Sequence, residues 1–97
     1  MKEGFEVRLS EDAEDDLRRL DGDTQKRLYK WLRRRLSECI NPRALGEPLS
    51  AELSEYWKYR SGDYRIIAKI LDDKVIVFVI ALGHRKDIYK KLKRRTR

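Results

Sequence analysis

Apolar and polar residues alternate from Phe5 to Leu9, with Phe5, Val7 and Leu9 set against Glu6 and Arg8, the period of a half-buried strand. Ser10 follows in the position of an N-cap, and Glu11, Asp12, Glu14 and Asp15 suit the positive end of a helix. Ala13, Leu17 and Leu20 recur at i, i+4 and i+7, which predicts a short first helix ended by Asp21-Gly22-Asp23. A second helix is predicted from near Asp23, carrying Leu28, Trp31, Leu32, Leu36, Cys39 and Ile40 on one stripe, with Asn41-Pro42 as its stop. Two helices joined by so short a turn pack as an antiparallel hairpin.

Residues 43–52 read as a loop. Three strand-like runs follow, Glu55 to Arg60, Tyr64 to Leu71 and Val75 to Leu82, separated by the turn signals Ser61-Gly62-Asp63 and Asp72-Asp73. The last run is unbroken in apolar character, as suits a central strand covered on both faces. Asp87 to Arg95 has weak helical periodicity, with Ile88 and Leu92 four apart. Its scarce apolar content predicts a mobile segment. The order β-α-α-β-β-β-(α) predicts an α+β domain: an N-terminal strand, a helical hairpin packed on one face, an antiparallel β-meander and a short mobile C-terminal helix.

Composition narrows the picture. At 97 residues the chain is one domain, residues 1–97. Charged residues make up 42% and hydrophobic residues 40%, yet the apolar positions are too periodic for a disordered chain. The single Cys excludes an internal disulfide and a Cys-based zinc site, and Cys39 reads as a core residue. No apolar run reaches the length of a membrane span and no signal-peptide core is evident, so the expectation is a cytoplasmic protein. The net charge of +7 is uneven: −5 over residues 1–23, +6 over 24–43, −1 over 44–84 and +7 over 85–97. Such basic blocks attract polyanions. Arg33, Arg34 and Arg35 read either as a solvated helix face or as a nucleic-acid contact. The run Lys90, Lys91, Lys93, Arg94, Arg95 and Arg97 is dense enough to suggest a nucleic-acid contact or an arm that an acidic partner neutralises.

Chemistry based on carboxylate pairs, triads or metal clusters has little to work with. The one His is His84, the acids are scattered, and no Gly-rich phosphate loop or nucleophile elbow occurs, so neither a metal nor a cofactor is expected. Cations and phenols on the strands remain. Strand alternation puts Lys58 and Arg60 on one face with Tyr56, and Arg65 on one face with Ile67 and Lys69. The Ser61-Gly62-Asp63 turn folds these strands together. The strand ending at Gly83 delivers His84, Arg85 and Tyr89 to one end of the sheet. This is either an exposed sheet face or a site for RNA chemistry. Cleavage by the 2′-hydroxyl needs a base, cations for the charge on the phosphorane and an acid for the leaving 5′ oxygen.

The runs Tyr56-Trp57-Lys58-Tyr59-Arg60-Ser61-Gly62-Asp63-Tyr64-Arg65-Ile66-Ile67, Asp72 to Ile80, and Gly83-His84-Arg85-Lys86-Asp87-Ile88-Tyr89 resemble the RelE/ParE superfamily of toxin–antitoxin toxins, most of all its RelE branch. The resemblance implies an endonuclease that cuts messenger RNA in the ribosomal A site without a metal. It assigns catalysis to Lys58, Arg65, Arg85 and Tyr89. RNA contacts fall to Arg60, His84, Arg33, Arg34, Lys90 and Lys91. Where family members often carry a further Lys, two residues before the first, this chain has Tyr56. The implied partners are a RelB-like antitoxin in a hetero-oligomer, messenger RNA and ribosomal RNA, with no membrane. A ParE-like inhibitor of DNA gyrase with the same fold and no ribonuclease activity is the alternative. A non-enzymatic basic binding module is the third reading.

Overall fold

The computed structural model describes residues 4–96, so Arg97 of the C-terminal basic run lies outside the described residues. The elements are β1 (Glu6–Leu9), α1 (Glu11–Arg18), α2 (Gly22–Trp31), β2 (Glu47–Pro48), β3 (Tyr56–Ser61), β4 (Tyr64–Leu71), β5 (Ile76–His84) and α3 (Ile88–Arg95). They form the expected α+β architecture around one five-stranded sheet of order β1-β5-β4-β3-β2.

Local chemistry explains most boundaries. The Ser10 hydroxyl accepts the Ala13 amide at 3.1 Å, and the Asp21 carboxylate accepts that of Thr24, so each helix of the hairpin begins on a side-chain cap. Helix α2 runs on through a π-turn over Leu32–Leu36, in which the Ser37 amide reaches back to the Leu32 carbonyl at 3.0 Å. This wider turn shifts the phase of the apolar stripe. Leu36 is buried, Cys39 is half-buried, and Ile40, expected on the stripe, is 74% exposed. The predicted loop also contains a short edge strand: Glu47 and Pro48 pair with Lys58 and Trp57, and a proline is tolerated there because the outer edge needs no donor.

Strands β3, β4 and β5 form the predicted antiparallel meander, whereas β1 pairs with β5 in parallel, the helical hairpin carrying the chain from β1 to β2 at the opposite edge before the meander returns to β1. On the hairpin face, Leu28, Leu32 and Leu36 pack with Tyr59, Ile66, Val77, Val79 and Leu82. The Tyr59 hydroxyl donates to the Pro42 carbonyl at 2.9 Å, and burial pushes its pKa upward. Helices do not occupy one face only. Ile88 and Leu92 of α3 are fully buried on the opposite face with Leu49, Ile67 and Ala81.

The C-terminal segment, whose scarce apolar content predicted mobility, is docked as a helix through Ile88 and Leu92, and polar contacts add to its anchoring. β1 pairs only with Ile76 to Val79 of β5, and Ile80 forms a bulge opposite the Ile67/Ala68 step. Beyond it, among the described residues, the edge of β5 has no neighbouring strand. Side chains complete the ladder instead: the Leu82 amide donates to Asp16 at 2.9 Å, and Arg95 and Lys91 donate to the carbonyls of Ile80 and Leu82 at 2.9 and 2.8 Å. Asp16, only 3% exposed, also accepts two bonds from Arg95 at 2.6 and 2.8 Å and one from Lys91 at 3.1 Å. Burial of Ile88 and Leu92 adds about 1.5–3 kcal/mol each. Among the described residues no helix is long and apolar enough to cross a membrane.

Candidate active site

Tyr59 and Ile66 point into the hairpin-side core, so their strand neighbours Lys58, Arg60 and Arg65 project toward the α3 face. The register sets Arg60 opposite Arg65 and Lys58 opposite Ile67. Lys58 and Arg65 are thus diagonal neighbours, about 7–8 Å apart at the backbone. Gly62, at φ 61°, makes the tight turn that this register requires. Gly83 is the register partner of Arg65 on β5 and is buried under α3, which its missing side chain allows to pack close; a Cβ there would come within 3.2 Å of the Lys91 ammonium.

Lys58 donates to the Tyr89 hydroxyl at 3.0 Å. Its Nζ lies 5.8 Å from the ring centroid, the separation expected beyond the hydroxyl rather than over the ring face, so the contact is a hydrogen bond. The Lys58 side chain is 17% exposed and has the Glu47 carboxylate at 3.9 Å; Glu47 also lies 3.8 Å from Arg60. Arg65 donates to the carbonyls of Gly62 and Tyr64 at 2.9 and 3.0 Å, which holds its guanidinium at the turn. The Arg85 amide donates to the Asp63 carbonyl at 2.8 Å, and its guanidinium lies 3.7 Å from the Asp63 carboxylate. These contacts join the turn after β3 to the turn after β5. One face therefore gathers Lys58, Arg60, Arg65 and Tyr89, with Arg85 at its rim.

Other candidates lie elsewhere. His84 sits at the same end of the sheet but on the hairpin face, edge-on to Tyr64 with ring centroids 5.5 Å apart. Arg33 and Arg34 line a groove of about 800 Å³ on the outer side of the hairpin, with Tyr29 and Lys30, and the Arg33 guanidinium lies 5.7 Å from the Tyr29 ring. Lys90 is exposed on α3. Lys91, expected to contact RNA, is bound to Asp16 and the Leu82 carbonyl and secures α3 instead. Tyr56 is half-buried, and burial first, then Glu55, raises its pKa. Among the described residues no group of three or more His, Cys, Asp or Glu could hold a metal.

Sequence reasoning missed Asp16. It lies on α1, far along the chain from α3, and reads as one more acid among the helix-start acids. Burial works against its charge, but hydrogen bonds from Arg95, the Leu82 amide and Lys91 outweigh that effect and hold its pKa below the usual 3.8.

The family model for the ParE toxin of the type II toxin–antitoxin system parDE matches residues 7–89, nearly the whole fold including every residue of this face. The chain belongs to the RelE/ParE family of toxins. Its relatives in this family include toxin RelG of Mycobacterium tuberculosis, 30% identical over 90% of this chain and 98% of that protein. The RelBE2 toxin–antitoxin complex of M. tuberculosis contains a chain superposing with a TM-score of 0.79, at 28% identity, over 90% of this chain and 98% of that one. A mutant of the Escherichia coli toxin RelE in the free state superposes with a TM-score of 0.68, at 27% identity, over 97% and 99% of the two chains. This RelE/ParE-family chain is a toxin of a type II toxin–antitoxin system.

Proposed function

We propose that the toxin is an endoribonuclease that cuts messenger RNA in the ribosomal A site. The observation that supports this reading is the Lys58–Tyr89 hydrogen bond of 3.0 Å on the sheet face that also carries Arg65. In the proposed reaction the 2′-hydroxyl attacks the adjacent phosphorus and the bond to the 5′ oxygen breaks. Lys58 and Tyr89 are the pair through which a proton leaves the attacking hydroxyl and reaches the departing oxygen. Arg65 and Arg85 neutralise the charge that grows on the phosphorane, the planar guanidinium fork matching the geometry of phosphate oxygens. Arg65 is held by two carbonyls of its own turn, so little reorganisation is needed when charge develops. Arg60, at the same turn, and Lys90, exposed on α3, extend the positive surface toward the RNA backbone. The partner is a RelB-like antitoxin in a toxin–antitoxin hetero-oligomer, as in the RelBE complexes of its structural relatives.

The test is cleavage of messenger RNA on programmed ribosomes. The parent cuts; Arg65→Ala and Arg85→Ala each slow cutting by about 10²–10³-fold, the effect of removing one donor from a developing oxyanion. Cleavage that survives both substitutions removes this site. The match to a ParE toxin model favours a second reading, inhibition of DNA gyrase. A parent that leaves messenger RNA intact and blocks gyrase supercoiling establishes that reading.

A further inference from the structure

We infer that the turn end of the sheet carries a second nucleotide subsite, on the hairpin side, where Arg27, Tyr64 and His84 hold an unpaired RNA base and its phosphate next to the cleaved linkage. The inference rests on the endoribonuclease reading and concerns the face that the reaction itself does not use.

Three elements converge there. Tyr64 and His84 are register partners on β4 and β5, with rings at 79° and centroids 5.5 Å apart. Arg27 comes from α2, its guanidinium 6.0 Å from the Tyr64 ring centroid. Gly62 carries no side chain between this cation and the turn; a Cβ there would lie 3.3 Å from Arg27 Nη2. The group is half-exposed to exposed, and among the described residues no ion pair engages Arg27. His84 Nδ1 accepts the Lys86 amide at 3.2 Å, so in the neutral ring the proton sits on Nε2, the nitrogen left to donate to a ligand.

A His ring braced by Tyr64, which itself packs on the hairpin-side core beneath Arg27, is equipment that recognises single-stranded RNA, with a base stacked on the His84 ring and phosphate met by the guanidinium. A duplex offers no free base face to such a group, and an acidic peptide has no need of the rings. Position supports the same ligand. Tyr64 and Arg65 are consecutive on β4 and therefore project to opposite faces of the sheet. The site that grips the scissile phosphate and the ring platform are thus two sides of one turn. A strand bent over that turn meets Arg65 on one side and Tyr64 and His84 on the other.

The experiment is steady-state cleavage on programmed ribosomes with Arg27→Ala, His84→Ala and His84→Phe. The expected result for each alanine variant is a KM raised about 5–150-fold, the range for one stacked base, with kcat within a few-fold of the parent. His84→Phe, which keeps a stacking ring, recovers most of the loss. Messenger RNA with an abasic nucleotide beside the cleaved linkage raises the KM of the parent but produces no further rise in His84→Ala. Unchanged KM in both alanine variants, a loss confined to kcat, or abasic and alanine effects that simply multiply would each overturn the subsite while leaving the endoribonuclease intact. A parent that cuts no RNA removes the underlying reading instead.

Discussion

Single residues carry two distinct kinds of information in this toxin. The alternation of β3 and β4 is enough to put Lys58, Arg60 and Arg65 on one face, because Tyr59 and Ile66 between them are claimed by the core. It does not reveal that Tyr89 meets Lys58, since that bond spans 31 residues and depends on where α3 docks. Removing the phenol oxygen should separate chemistry from binding: Tyr89→Phe is expected to lower kcat by about 10²–10⁴-fold, the range for a lost proton-transfer group, with little change in KM. Single-turnover cleavage on ribosomes checks this, and a rise in KM alone would reassign Tyr89 to RNA binding. Val75 illustrates a stability effect with no bearing on the site. It is half exposed and sits in the left-handed region at φ 55°, closing the turn between β4 and β5. A β-branched residue is strained there. Val75→Gly should therefore raise stability by about 1 kcal/mol, seen as a higher midpoint in urea; a lower midpoint would mean that the valine side chain is held by packing.

The element with the least obvious support is α3, whose sequence is mostly Lys and Arg. Its docking depends on Asp16, which reaches it from α1 and in the same arrangement closes the open edge of β5. Asp16→Ala leaves the Leu82 amide and two cations without their shared acceptor. It should cost about 3–5 kcal/mol, the penalty for breaking a buried pair. Faster hydrogen exchange in both α3 and the end of β5 would identify the cause, whereas an effect confined to α1 would refute it. The acid limb of stability follows from the same contact. Because the folded pKa of Asp16 lies below 3.8, its contribution is fully present above the unfolded value and is lost as pH falls through the lowered folded value. Wild type should thus lose its advantage over Asp16→Asn only in this acid range, measurable by urea unfolding at stepped pH. The bulge at Ile80 belongs to the same device, since it marks where β5 exchanges a strand neighbour for side chains.

At the scale of the whole molecule, the positive charge falls on separate surfaces. The sheet face and the turn end carry Lys58, Arg60, Arg65, Arg85 and Arg27, while Arg33 and Arg34 line a groove on the far side of the hairpin. If both surfaces meet RNA, affinity for programmed ribosomes falls steeply with salt. Replacing Arg33 and Arg34 together by Ala then reduces the log–log slope by about 0.7–0.9 for each phosphate no longer neutralised, while kcat is retained. An unchanged slope would mark those arginines as a solvated helix face. Periodicity alone was sufficient for the order of the helices and the longer strands, the meander and the cation-bearing face, but not for the two-residue edge strand β2, because strand alternation and helix spacing are local properties of neighbouring residues. Placement on opposite sides of the sheet was not legible in that way. That α3 packs behind the meander, that Asp16 is buried, that Lys91 secures the fold and that His84 faces Tyr64 all depend on residues distant along the chain coming together. Their energetics arise only when desolvation and hydrogen bonding are decided together in the folded molecule.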